Sequence, residues 1–232
     1  MMKVITKGKV KTVYDTGDGN AIIEFHDDIT AGDGAKKESK TGKGGINAQI
    51  SARLLSLLSD AGIETHFIEL MEPNKILVKK VNIILVEVIL RNIATGSLLK
   101  RYPFKAGTEF QTPIVEFGYK NDEYHDPMLN TDIALALDLC TKEDLDIMKE
   151  KALRVNEVLK KFFMDRGIVL VDFKLEFGKT PDGKIILADE ISPDTCRFWE
   201  KDTMEIMDKD RFRNDMGGVL EFYEEVKRRV LS

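Results

Sequence analysis

Apolar and polar residues alternate with a period of two from Lys9 to Tyr14 and again from Ala21 to Phe25. Asp18-Gly19-Asn20 stands between them, so the pattern predicts two strands joined by a turn. Residues 30–45, TAGDGAKKESKTGKGG, have no period and are rich in glycine and charge. They predict a mobile loop. From 46 to 61 the spacing becomes helical, with Ile50, Leu54, Leu55 and Leu58 on one face and Gly62 placed to end the helix. Strands follow near 66–70 and 76–81, then an apolar run from 83 to 91 broken only by Glu87. A boundary between a small N-terminal β lobe and a larger lobe is expected near Asn82. Thr141 and Asp144 have the spacing of a capping box, opening a helix through Leu145, Met148, Ala152, Val155, Leu159 and Phe162 that stops at Gly167. Residues 218–231 predict a last amphipathic helix.

The stretch 168–191, IVLVDFKLEFGKTPDGKIILADEI, is the most informative. Odd positions from Val169 to Phe177 are all apolar, while the even ones pass through Asp172, Lys174 and Glu176. With a strand period of two, one face is core and the other carries three charges in a row. Asp182-Gly183 signals a hairpin turn. A two-residue turn pairs positions that sum to 365, setting Glu176 opposite Asp189, although Pro181 leaves room for a wider loop. Directly opposed like charges repel at roughly 4.5–5.5 Å, so something positive is expected between them. Two readings stand: a divalent cation shared with a nucleotide's phosphates, or a solvated face balanced by Lys174 and Lys184.

Composition narrows the class. The chain has 232 residues, 43% of them apolar, which suits one large domain or two small ones sharing a cleft. A net charge of -5 with no basic stripe argues against nucleic-acid binding, so an anionic substrate requires a local basic cluster. Cys140 and Cys196 form neither a disulfide framework nor a zinc site. Nothing near Cys196 suggests a nucleophile, and it reads as a packing residue. His26, His66 and His125 lack metal-ligand spacing. No segment resembles a signal peptide and no run approaches the roughly 18 apolar residues of a membrane span, which points to the cytoplasm. No Walker A loop occurs; Gly42-Lys43 is followed by Gly44.

Further blocks stand in order around the hairpin: Gly8-Lys9-Val10-Lys11-Thr12-Val13-Tyr14, Thr30-Ala31-Gly32-Asp33-Gly34, Arg91-Asn92-Ile93-Ala94-Thr95-Gly96-Ser97, and Lys120-Asn121-Asp122 leading to His125-Asp126-Pro127-Met128. The hairpin adds Val171-Asp172-Phe173-Lys174-Leu175-Glu176-Phe177-Gly178, then Asp189-Glu190-Ile191-Ser192-Pro193-Asp194 with Arg197, and later Asp208-Lys209-Asp210-Arg211-Phe212-Arg213. In this order and spacing they resemble the SAICAR synthetase family, from about residue 7 to 226. The resemblance implies an α+β fold in which an N-terminal antiparallel β lobe, 1–82, lies over a larger α+β ATP-binding lobe, 83–232, around a kinase-like or ATP-grasp-like cleft. It implies an ATP-dependent ligase that joins carboxyaminoimidazole ribonucleotide (CAIR) to L-aspartate through an acyl phosphate in purine biosynthesis, using ATP and Mg²⁺, and a homodimer.

The resemblance also carries residue roles. For ATP it implies Gly8, Lys9, Val10, Lys11, Val13, Lys79, Val81, Ile83 and Lys120, with Glu176 and Asp189 as the magnesium carboxylates. On their own residues 8–11 read as an edge strand with solvated lysines. For the imidazole ribonucleotide it implies Arg91, Ser97, Asp126, Lys174 and Arg197; arginine's planar fork suits phosphate and carboxylate alike. Asp172, Lys174 and Asp33 are the expected catalytic residues. The loop with Asp33, Gly34, Lys36 and Lys43 is expected to close over the substrates and protect an acyl phosphate from water. Arg211 and Arg213 fall in a family block without an assigned role, and no acceptor for the amine's proton is visible. Rival readings are a small-molecule carboxylate kinase using the same cleft and a non-catalytic nucleotide sensor.

Overall fold

The computed structural model describes residues 2–32 and 34–232. Strands β1 (Lys3–Lys7), β2 (Lys11–Asp15) and β3 (Asn20–Phe25) open the chain, followed by β4 (Asp28–Ala31), β5 (Lys36–Ser39), helix α1 (Lys43–Asp60), β6 (Phe67–Glu72) and β7 (Lys75–Lys79). Five of these strands form an antiparallel sheet in the order β1-β2-β3-β7-β6. The alternation that predicted β3 turns Ala21, Ile23 and Phe25 inward with Ile76 and Val78. Ala48 and Ala52 of α1 cover them, and small residues there let helix and sheet approach closely. The opposite face of α1 carries Ile46, Ile50, Leu54 and Leu58 into the main core. One helix therefore serves two cores.

Among the described residues, the segment 30–45 holds strand and helix as well as turns. β4 and β5 pair as a short antiparallel hairpin, and α1 begins at Lys43, earlier than the apolar spacing indicated. Ile29 is fully buried and the Lys43 side chain is 1% exposed, so both ends of the segment are anchored. Strands of four residues are too short to show a period, and a buried lysine breaks the expected polarity. Asp33 lies outside the described residues.

The larger lobe is built from β8 (Asn82–Ile93), α2 (Ser97–Arg101), β9 (Glu109–Tyr119), β10 (Met128–Leu129), α3 (Thr131–Ala136), α4 (Lys142–Met164), β11 (Ile168–Lys179), β12 (Ile185–Ala188), β13 (Cys196–Glu200), α5 (Asp210–Arg213) and α6 (Val219–Leu231). The strands run β10-β9-β8-β11-β12, with β13 also paired to β11. The capping box forms: the Thr141 hydroxyl accepts from Asp144 N at 3.1 Å and the Asp144 carboxylate from Thr141 N at 2.9 Å. Gly62 and Gly167 both adopt the left-handed φ expected just past a helix end, +77° and +69°. The lobes are stitched where Thr65 pairs with Leu187 and His66 N donates to the Leu187 carbonyl at 2.8 Å.

The β11–β12 hairpin differs from the expected register. Lys179 pairs with Ile185, so residues 180–184 form the connection, closed by Thr180 and Lys184 bonding each other. Glu176 consequently faces Ala188, not Asp189, and paired positions sum to 364. Pro181 cannot donate to a two-residue turn's ladder, and the Thr180 hydroxyl caps a wider loop instead. Asp189 follows the end of β12 with φ +61°, off the strand.

Candidate active site

A cavity of about 640 Å³ lies between the two sheets. Its floor is the charged face of β11, where Asp172, Lys174 and Glu176 project together. Across the ladder β8 sets Arg91 beside Asp172 and Glu87 beside Glu176. The directly opposed carboxylates are therefore Glu176 and Glu87, and Lys174 lies between them, 2.8 Å and 2.7 Å from their oxygens. Burial raises the Glu87 carboxyl more than Lys174 pulls it down. Glu176 goes the other way: burial and Asp189 push it up, but Lys174, Lys120 and Lys11 together hold it low.

Asp189 reaches the same cavity from the loop after β12. Lys11, on β2 of the other lobe, bonds its carboxylate and lies 3.0 Å from Glu190. Burial opposes the charged form of Asp189, yet Lys11 and Lys174 outweigh it and hold the group far below the ordinary carboxylate range. Lys120 bonds Glu176 at 2.7 Å. Three lysines thus interleave with four carboxylates, Glu87, Glu176, Asp189 and Glu190, which holds the ammonium groups in place at this end of the cavity. The His66 ring bonds the Asp189 carbonyl at 3.0 Å, and burial lowers its pKa to about 4, so it is a neutral prop for this loop.

At the far end Asp172 stands between two arginines, Arg91 at 3.0 Å and Arg197 at 2.9 Å. Burial pushes its carboxyl up against their pull. Glu116 and Ser97 fix the remaining edges of the Arg91 guanidinium, and Asp210 fixes Arg197 at 2.6 Å. Gly96, with φ +57°, is required here, since a Cβ would stand 2.6 Å from the Arg197 guanidinium. A third wall consists of Thr30 to Gly32 and Gly34 from the β4–β5 hairpin, facing Asp194, Lys209 and Arg213.

Gly8, Lys9, Val10, Lys11, Arg91, Ser97, Lys120, Asp126, Asp172, Lys174, Glu176, Asp189 and Arg197 all line this cavity. Val13, Lys79, Val81 and Ile83 do not. Lys79 lines a separate small pocket with Thr65 and Phe67, and Val81 packs where a Cβ on Gly178 would clash with it. Lys36 reaches across to the Phe212 carbonyl and Asp215, tying the β4–β5 hairpin to the α5 segment. Lys43 lies below the cavity, bound to Asp194 at 2.5 Å, and is not part of a closing loop. The neighbouring arginines separate: Arg213 faces the cavity, while Arg211 is buried against Glu205 and the Ile206 and Gly217 carbonyls. Cys196 is buried and burial raises its thiol, as suits a packing residue. Glu87 went unassigned in the sequence, although a lone acid inside a buried strand was its signal. Lys209 and Asp210 stand in the family-like block Asp208–Arg213, where no local pattern signals a role for either.

The two carboxylates Glu176 and Asp189 offer the hard oxygen donors that Mg²⁺ takes when phosphate and water complete its shell, so the residues fit that ion. Among the described residues no cluster of three or more His, Cys, Asp or Glu forms a protein-only cation site. A family model described as SAICAR synthetase matches residues 4–230. The phosphoribosylaminoimidazole-succinocarboxamide synthase of Methanocaldococcus jannaschii is 56% identical over 96% of this chain and 92% of its own length. That of Methanobrevibacter smithii is 52% identical over 99% and 95%. A solved SAICAR synthetase in complex with ADP superposes with a TM-score of 0.95 at 48% identity, covering 98% of this chain and 97% of its own.

Proposed function

The chain belongs to the SAICAR synthetase family, and from that premise we propose that it catalyses the ATP-dependent joining of CAIR and L-aspartate to give SAICAR, ADP and phosphate. The observation that carries this is identity above 50% to synthases of this name along nearly the whole chain. A carboxylate does not condense with an amine in water unless activated. The γ-phosphoryl group of ATP passes to a CAIR carboxylate oxygen; the aspartate amine then attacks the acyl carbon, expels phosphate and loses a proton.

Catalysis of phosphoryl transfer is largely positioning and neutralisation of charge, and each end of the cavity suits one part. Lys9, Lys11 and Lys120 face the triphosphate from the strand-rich end, with Gly8 and Val10 on the same edge. Glu176 and Asp189 would hold Mg²⁺, which when bound supplies charge neutralisation between the phosphates. Arg91, Ser97 and Arg197 grip the ribonucleotide, with Asp126 at the rim and Asp172 orienting both guanidiniums. Lys174 balances the carboxylate being phosphorylated, and Glu87 with Glu176 holds its ammonium in place. By resemblance Val81 and Ile83 lie on the adenine side, Lys79 serves the phosphates, Val13 belongs to the nucleotide site, and Asp33 is a catalytic residue.

The division into lobes at 82/83 is supported by the change of sheet between Lys79 and Asn82. A homodimer is supported by apolar side chains exposed on both edges of the first sheet, Val4 and Ile5 on β1, Ile68 and Met71 on β6. No helix among the described residues is long and apolar enough to cross a membrane; we place the enzyme in the cytoplasm with its small-molecule substrates. The test is ADP release with Mg-ATP and CAIR, with and without L-aspartate. Release that requires both substrates, equal to the succinocarboxamide formed, is expected. Full release without aspartate would make it a carboxylate kinase instead.

A further inference from the structure

Seven of the lysines and arginines on the cavity wall, from Lys9 to Arg213, have a carboxylate oxygen within 3.0 Å. Lys209 differs. Its side chain lines the cavity but makes no hydrogen bond or ion pair among the described residues, although its backbone N–H is anchored to the Pro193 carbonyl at 3.1 Å. Burial destabilises this ammonium, Arg213 and Lys43 add to the effect, and Asp194 offsets part of it. The nearby carboxylates are already engaged: Asp194 by Lys43, Asn47 and Tyr223, and Asp210 by Arg197 and Arg213. A half-buried cation with no acceptor is a place where an anion gains a charge-assisted hydrogen bond without displacing a protein partner.

We propose that Lys209 binds a carboxylate of L-aspartate and so positions the attacking amine; this rests on the ligase reading above. L-Aspartate is the one substrate whose two carboxylates have no cation allotted to them. The lysine-rich end matches the triphosphate and the Arg91–Arg197 end matches the ribonucleotide. Lys209 adjoins Asp210, the clamp of Arg197, which puts it beside the ribonucleotide and under the β4–β5 hairpin tip. Arg213 on the same wall raises the local positive potential.

Steady-state kinetics on Lys209→Met separate this role from a structural one. KM for L-aspartate is expected to rise about 10- to 100-fold, the loss of one hydrogen bond to a charged group. KM for ATP and CAIR should stay within about twofold, and Lys209→Arg should restore most of the aspartate affinity. An unchanged aspartate KM, or a rise confined to CAIR or ATP, overturns the proposal. Should Lys209→Met not fold, reductive methylation of the unaltered enzyme decides: with CAIR and ADP present, L-aspartate is to protect Lys209, read by mass spectrometry. Equal labelling with and without the amino acid refutes the contact. An unaltered enzyme that releases ADP fully without aspartate removes the ligase reading and this assignment with it, whereas an aspartate-dependent enzyme with an unaffected variant removes the assignment alone.

Discussion

Asp208 has no exposed surface, and its carboxylate accepts from Phe198 N at 2.8 Å and Asp210 N at 2.7 Å. Burial, with Asp210 beside it, nevertheless raises its pKa to about 7 from the ordinary 3.8. Between about pH 4 and 7 the folded protein therefore keeps a proton that the unfolded chain has released. Its contribution to stability falls as pH rises through that window, and above about 7 the full cost of the buried charge is present. Asp208→Asn cannot ionise, so its stability relative to the unaltered protein should improve from pH 4 to 7, by as much as about 4 kcal/mol. Denaturant midpoints of both proteins at about pH 4.5, 6 and 7.5 check this; a difference that stays constant with pH counts against it. Lys174 makes the complementary case. Burial alone would lower its pKa, but Glu176 and Glu87 raise it, so it stays charged where a substrate carboxylate must be met.

At the scale of elements, α1 is fastened to the first sheet by close contact as much as by apolar burial. Gly44 in its first turn lies so near the end of β3 that a Cβ would come within 2.5 Å of the Phe25 carbonyl oxygen. Backbone cannot yield as a side chain can, so Gly44→Ala should lose about 1–3 kcal/mol despite alanine's better helix propensity. A melting temperature equal to that of the unaltered protein would show that the helix start shifts freely. The β11–β12 hairpin shows how a turn governs a site. One residue of register moves Asp189 off the ladder, and its left-handed backbone aims the carboxylate at Lys11 of the other lobe.

Across the whole molecule, a buried polar cluster joins distant parts of the chain beneath the site. The Asp194 carboxylate takes Lys43 and Asn47 from α1 and the Tyr223 hydroxyl from α6, the last at 2.8 Å. Burial raises the Tyr223 hydroxyl well above its usual range, and Asp194 adds to this, so it remains a donor. The loop 189–195, which supplies Asp189 and Glu190 to the cavity and leads into Arg197 of β13, is thereby pinned by both α1 and α6. Tyr223→Phe removes one hydrogen bond to a charged acceptor and should cost about 1.5–3 kcal/mol. Calorimetry reads that loss, and a change below about 0.5 kcal/mol would mean that Lys43 and Asn47 hold Asp194 unaided.

The sequence by itself determined what depends on neighbours along the chain. The period-two face of β11, the α4 capping box, the glycines that end α1 and α4, and α6 all follow from local spacing and backbone preference. The blocks bearing Lys11, Arg91, Lys120, Asp172, Lys174, Glu176, Asp189 and Arg197 were legible too, and these residues meet in one cavity. What tertiary structure decided is which charge answers which. Glu87 opposes Glu176 because β8 lies beside β11; Lys43 is buried because Asp194 lies over it; Lys209 makes no side-chain bond among the described residues, while Asp210 beside it is held by two arginines. Such pairings join residues distant in sequence, and electrostatics depends on distance in space, so no local pattern encodes them.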